Sequence, residues 1–343
     1  MRRNVVVVLK ILFLLSCRLL YAQDIQYSQF YANVLYLNPA FAGNAHAIRG
    51  IFHHRTQWPS LDARYITTHF SVDCYAPRAN SGFGLIAYKD VQGASTIATT
   101  ETALQYAYEL HLSSRYSFRA GIQAGYVSRF INYSVLRFPD QYDANGYLGN
   151  ATNQHHANDK ISYLDFTSGG IFYSDKYWAG ITYAHMNRPD QSFYGGESRL
   201  PVKLEYTGGY RFDFESKRDD KISTGRDIYL TPTFHYKLQG KSDQLDLGVY
   251  FLYDRMITGL WYRGMPLIKQ YNQRLHNNES FVVLIGFRIN TLSISYSFDN
   301  TVSKLAPANT AGCHELNITY LVDFKNRKKK VMKKIPCPHF YKT

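Results

Sequence analysis

From about residue 46 onward the chain alternates apolar and polar positions with a period of two. Leu292, Ile294, Tyr296 and Phe298 alternate with Ser293, Ser295 and Ser297. Leu245, Leu247, Val249, Phe251 and Tyr253 alternate with Gln244, Asp246, Gly248 and Tyr250, and Leu316, Ile318, Tyr320, Val322 and Phe324 with Glu315, Asn317, Thr319 and Asp323. Phe118, Ala120, Ile122, Ala124 and Tyr126 repeat the pattern against Arg119, Gly121, Gln123 and Gly125, a second face of small and polar residues. A period of two puts the two sets on opposite faces of a strand. The segments run about 9 to 15 residues, longer than soluble strands and matched to a tilted membrane-spanning strand.

The pattern predicts fourteen strands, centred near residues 51, 69, 86, 104, 123, 167, 182, 208, 231, 249, 260, 285, 295 and 319. No stretch reaches the length of a transmembrane helix, so a chain that crosses a bilayer must do so as a closed sheet in which every backbone group is paired. The expected fold is all-β: a transmembrane antiparallel β-barrel. Linkers support it. Those near Arg78, Ser113, Asp175, Arg255 and Asn290 are short, whereas Asn132 to Asp159, Pro189 to Leu200, Gly264 to Asn278 and Asn300 to Gly312 are long. Short periplasmic turns and long outer loops are the habit of such barrels. The charged linker Ser216 to Ser223 departs from that alternation. An even strand count puts both termini on the periplasmic side. The aromatic load, 30 Tyr and 3 Trp, suits interfacial girdles, although aromatics also favour strands in general. A soluble secreted sandwich is the alternative, and it would have to accommodate unusually long strands.

Four segments follow: residues 1–22, 23–45, 46–324 and 325–343. The first has Arg2 and Arg3, an apolar core from Val5 to Leu15 broken by Lys10, and Leu20-Tyr21-Ala22, and reads as a signal peptide cleaved after Ala22. Lipidation at Cys17 is disfavoured by the odd successor Arg18. Charge then redistributes. Of 39 Lys and Arg, four lie in the leader and eight in the last 19 residues, leaving 27 against 26 acidic groups in residues 23–324. The basic balance belongs to the tail, so the high pI does not argue for nucleic acid as a partner. Cys74, Cys313 and Cys337 are too few and too scattered for a disulfide framework or zinc knuckle, and the topology places Cys74 and Cys313 at opposite ends of the barrel.

Residues 24–45, DIQYSQFYANVLYLNPAFAGNA, fit neither leader nor strand. Asn38-Pro39 makes an extended turn, Gly43 allows a left-handed backbone, and Tyr31, Leu35, Tyr36, Leu37 and Phe41 need apolar surroundings. The segment is expected to pack against or inside the barrel as a plug, the alternative being a mobile lead-in. In the tail, Lys328, Lys329, Lys330, Lys333 and Lys334 form a charge run, followed by Pro336, Cys337, Pro338 and Phe340. The run suits anionic lipid headgroups or an acidic protein patch, and the second half suits an extended anchor.

YLNPAFAG after a leader, with Asn38, Pro39 and Gly43, resembles the opening of the PorP/SprF family of outer-membrane proteins of the type IX secretion and gliding system. Arg55, Gln57, Trp58 and Pro59 resemble its RxQWP segment. PDQYD (139–143), YSFD ending at Asp299, His314-Glu315 and PCPHF (336–340) follow in the family's order, so the resemblance covers the mature chain. It implies a non-enzymatic outer-membrane component that anchors or assists export of a secreted surface protein or adhesin. It also implies outer-membrane lipid around the barrel, and a periplasmic peptidoglycan-binding lipoprotein as a partner for the tail.

Residue chemistry adds little. There is no phosphate loop, HExxH or nucleophile elbow, and nothing calls for a cofactor or metal. His53 and His54 point to opposite faces; His155-His156 is a loop pair. Glu101, Glu109, Asp246, Asp299, Glu315 and Asp323 are expected to face the lumen and pair with residues such as Arg119 and Arg288. Two rival functions stay open: a general porin or small-solute channel, and an outer-membrane hydrolase built on His185 or His314.

Overall fold

The structure is a computed structural model and describes residues 24–93, 96–144, 146–149, 152–153, 158–214, 228–240, 242–264, 278–302, 310–322 and 335–338. The first strands are β1 (Ile48–Gln57), β2 (Tyr65–Ala76), β3 (Ser81–Gln92), β4 (Ile97–His111) and β5 (Ser117–Ile131). A small hairpin, β6 (Tyr142–Asp143) and β7 (Gly146–Tyr147), interrupts the series. It continues with β8 (Lys160–Tyr173), β9 (Tyr177–Ala184), β10 (Lys203–Tyr210), β11 (Phe212–Asp213) and β12 (Ile228–Gln239). β13 (Ser242–Tyr253), β14 (Met256–Gly264), β15 (Asn278–Ile289), β16 (Leu292–Thr301) and β17 (Cys313–Val322) complete it.

Every neighbouring pair is antiparallel, and the sheet closes. β1 pairs with β17 from Ile48↔Val322 to Gln57↔Cys313, and β10 joins β9 to β12 through Leu204↔Tyr183 and Leu204↔Leu238. Since β11 continues β10 along β12, the barrel has fourteen strands among the described residues, and each expected centre falls inside one of them. Closure leaves no edge strand with unpaired backbone groups.

The sense of the alternation identifies the solvent on each side. In β16, Ser293, Ser295 and Ser297 are buried while Ile294 and Tyr296 are exposed. Leu104 and Ile122 are 67% and 61% exposed, whereas Glu101, Gln105, Glu109 and Arg119 on the same two strands are buried. Apolar side chains thus face outward and polar ones inward, the reverse of a water-soluble domain and the arrangement of a barrel in lipid. No helix among the described residues is long and apolar enough to cross a membrane.

Trp178 and Trp261 are buried in the lumen with Tyr31 and Tyr250, while other aromatic rings, among them Tyr106, Tyr126, Tyr206 and Tyr296, are exposed on the outer face. A barrel of this width encloses space that must be filled, and bulky rings fill it. β1 begins and β17 ends at one end of the barrel, here the termini end, while the long loops crown the other. Asp24 lies at the long-loop end, its backbone N–H donating to Gln239 at 3.3 Å and its carboxylate 2.7 Å from His185. The described chain therefore starts at the opposite mouth from the one at which β1 begins. The linker Ser216 to Ser223, the pair His155-His156 and Asp323 lie outside the described residues.

Candidate functional site

Residues 24–47 run through the lumen from the long-loop mouth to the termini end. Successive wall contacts mark the path. Ser28 and Gln29 donate their backbone N–H groups to Glu315 at 2.7 and 2.9 Å. Asn317 donates to the carbonyl of Ala32 at 3.4 Å, and Gln105 to that of Leu35 at 2.7 Å. Thr182 donates to Leu37 O at 2.9 Å, and Asn38 donates to Ile181 O at the same distance. Arg119 donates to Ala40 O at 2.9 Å and also to Ala42 O, and Gly43 N donates to Asp73 at 2.7 Å.

This inventory explains why the inner wall is polar. A short helix, α1 (Val34–Leu37), a 3-10 turn (Pro39–Phe41) and a few turns such as Ala32 N–H to Gln29 O satisfy part of the plug backbone internally. The remaining buried N–H and C=O groups need partners, and wall side chains supply them. Asn38 does double duty, accepting the N–H of Ala40 at 2.8 Å to cap the turn that Pro39 begins. Gly43 has φ +76°, a backbone left-handed enough to favour glycine, where the chain turns up toward β1. At Gly82 and Gly121 the plug lies so close that a Cβ would overlap the backbone of Ala42 and Ala40.

Buried ion pairs fix the charged wall groups. Arg49 and Asp73 meet at 2.8 and 2.9 Å, and Arg119 reaches Glu109 at 2.9 Å. Arg55 pairs with Glu315 and lies 3.7 Å from Asp299; Arg263 bridges Asp246 at 2.8 Å and Asp299 at 3.1 Å. Asp299 in turn accepts from the hydroxyl of Ser28. Arg119 thus meets an acid, as expected, while Arg288 donates to the backbone of Asp254. The partners in the Arg55 and Arg263 network could not be read from sequence, because they come from β1, β13, β14, β16 and β17.

Motif residues converge on this interior with instructive exceptions. Gln57 accepts from Arg55 at 3.0 Å. Trp58, at φ +54°, donates its N–H to Gly312 O at 2.8 Å and stacks edge-on with Tyr65, and Pro59 follows in the turn. His314 faces the other side of β17 from Glu315, its Nδ1 2.6 Å from the hydroxyl of Tyr296. Pro336, Cys337 and Pro338 are buried, with Cys337 in one apolar cluster with Tyr31, Trp178 and Tyr250 and close to Arg49 and Arg211. The tail segment thus docks inside its own barrel at the termini end. Lys328, Lys329, Lys330, Lys333, Lys334 and Phe340 lie outside the described residues.

At the long-loop mouth a cavity of about 90 Å³ is lined by Asp24, Tyr88, Glu101, Asp165, His185 and Lys203 among others. His185 is clasped between Asp165 at 2.8 Å and Asp24 at 2.7 Å. Burial works against the imidazolium, but the two carboxylates hold its pKa up at about 10. Burial likewise works against the Asp24 carboxylate, yet His185 and Lys203 hold it well below the usual range. Both ring nitrogens of His185 face carboxylates, which leaves neither to activate a serine hydroxyl. His185 and His314 lie on opposite faces of the wall and form no common catalytic group. Among the described residues no group of three His, Cys, Asp or Glu is placed to hold a metal ion.

Solved structures of similar shape are outer-membrane barrels. The toluene transporter TbuX of Ralstonia pickettii shares 9% identity over 85% of this chain and 93% of its own, with a TM-score of 0.48. A deletion mutant of the monoaromatic hydrocarbon channel TodX shares 10% over 85% and 94%, with a TM-score of 0.43. A mutant of a Rh. blastica porin shares 8% over 80% and 99%, at 0.34. No curated protein matches the chain. The family described as type IX secretion system membrane protein PorP/SprF matches residues 19–320, across the plug and almost all of the barrel. With the match covering most of the chain, this outer-membrane β-barrel belongs to the PorP/SprF family of type IX secretion system membrane proteins.

Proposed function

We propose that the protein is a sealed, non-enzymatic barrel of the type IX machinery that anchors or assists export of a surface protein and docks a periplasmic peptidoglycan-binding lipoprotein. The observation that carries this reading is the plug, which fills the lumen from Asp24 at one mouth to Gly43 at the other. A barrel closed in this way has surfaces to offer, not a path. In this reading the short turns and the end of β17 face the periplasm. The long loops, including Tyr142 and Tyr147 on the exposed hairpin β6–β7, meet the exported partner. The basic run from Lys325 to Lys334 follows β17 directly and serves the periplasmic contact.

Affinity purification from gently solubilised outer membranes tests it. The variants are the intact chain, a chain ending at Phe324, and a chain with Lys328, Lys329, Lys330, Lys333 and Lys334 changed to Gln. The last keeps the buried Ile335–Pro338 segment in place. A peptidoglycan-binding protein that accompanies the intact chain and is lost with the charge variant supports the docking assignment; the same companions in all three remove it. The runner-up, a general porin, requires a defined single-channel conductance from the intact protein in planar bilayers. The sealed reading requires silence.

A further inference from the structure

The long-loop cavity carries an imbalance of charge that the plug and the ion-pair networks do not absorb. Five carboxylates line it, from Asp24, Asp90, Glu101, Asp165 and Glu205, against Arg129, Lys203 and the His185 imidazole. Carboxyl groups thus outnumber basic groups in this lining by five to three. Lys203 reaches Asp24 at 3.0 Å and Glu205 at 3.3 Å, and His185 takes Asp24 and Asp165. Glu101 and Asp90 make no direct ion pair among the described residues. Neutral donors hold them: Tyr88 and Gln123 for Glu101 at 2.7 and 3.0 Å, Thr67 and Gln92 for Asp90, both at 2.6 Å. Asp165 is 3% exposed, and its second oxygen, Oδ1, has no hydrogen-bond partner.

We propose that this cavity binds a primary ammonium group. A buried carboxylate oxygen without a partner is costly and calls for a donor, and carboxylates in excess call for a cation. Three features select an alkylammonium over a metal ion. No three-ligand arrangement is present among the described residues. Asp24 and Asp165 are already taken up by the His185 imidazole, and Glu101 and Asp90 are held by neutral donors. The rings of Tyr36, Tyr88 and Tyr163 line the same space, and Tyr36 already lies under the Lys203 ammonium at 5.2 Å. Aromatic faces beside carboxylates suit a cation on an alkyl stem, with cation–π attraction on one side and hydrogen bonds on the other.

Two sources supply that chemistry. One is an amine from outside, such as a lysine side chain of a polypeptide entering the long-loop mouth. The other is the chain's own α-amino group, which leader removal after Ala22 would free at Gln23, one residue before Asp24. The inference does not rest on the secretion reading.

The test uses the full mature barrel in detergent, titrated calorimetrically with putrescine and with Nα-acetyl-lysine methylamide, the Nε-acetylated analogue serving as the uncharged control. If the amine comes from outside, both amines bind one per barrel. Affinity then falls at least tenfold in Glu101→Gln, and the control does not bind. If the chain supplies its own amine, the native protein binds neither, but the form with its α-amine acetylated melts lower and gains putrescine binding. The proposal is overturned if neither form binds amines more tightly than its Glu101→Gln counterpart, or if sodium competes equally at the same concentration. Asp165→Asn replaces Glu101→Gln should that variant lose its heat-modifiable migration on gels.

Discussion

The carboxylate of Glu315 accepts the backbone N–H of Ser28 at 2.7 Å across 287 positions of sequence. The same carboxylate takes Gln29 N–H and pairs with Arg55, so one side chain ties plug, first strand and last strand together. The plug is thereby part of the fold's closure, and its loss would reach the seam between β1 and β17.

Glu315→Ala should therefore destabilise the barrel strongly, because it takes from Arg55 its nearest acid and leaves two plug N–H groups without their acceptor. Breaking a buried ion pair from one side costs about 3–5 kcal/mol. The transition temperature of heat-modifiable gel migration should drop clearly in this variant. Equal melting of Glu315→Ala and wild type would remove Glu315 from the role given to it.

Close approach of plug to wall predicts a contrast among glycines. Gly82→Ala and Gly121→Ala place a methyl group against the backbone of Ala42 and Ala40, whereas a Cβ at Gly50 meets nothing within 4 Å. Overpacking costs about 1–3 kcal/mol, and a surface change without such contacts stays within about 0.5 kcal/mol. Melting of the three single variants checks the order; destabilisation by Gly50→Ala as large as by Gly121→Ala would contradict it.

The His185 clasp gives stability a signed pH dependence. Its pKa in the folded protein, about 10, lies above the unfolded value of about 6.5. A group raised on folding contributes fully below its unfolded pKa and loses that contribution as pH rises through the folded one. The difference in melting temperature between wild type and His185→Gln should be constant below about pH 6.5 and shrink toward pH 10. A difference that grows with pH would reverse the assignment.

Cys337 reports on the tail. It is 2% exposed, and burial pushes its thiol up to about 12, so thiolate is scarce at neutral pH. Maleimide should label it slowly in the folded barrel and far faster after denaturation. Rapid labelling of Cys337 in the folded protein would mean that the tail does not dock in the lumen.

Local properties of the sequence determined the strands and their number. Period-two alternation, segment length and the absence of a long apolar run leave a closed antiparallel barrel as the form that pairs every backbone group in lipid. The plug was legible as a segment of the wrong period with Asn38-Pro39 and Gly43 in it. Inward acids were legible too, because charge on the lipid face is expensive. Tertiary structure alone decided that the plug enters at the long-loop mouth, that Glu315 meets Ser28, that two tryptophans turn inward, and that Ile335–Pro338 returns into the lumen. The reason is geometric. Alternation is set between neighbours in the chain, whereas closing the barrel brings together residues more than 250 positions apart, such as Arg55 and Glu315.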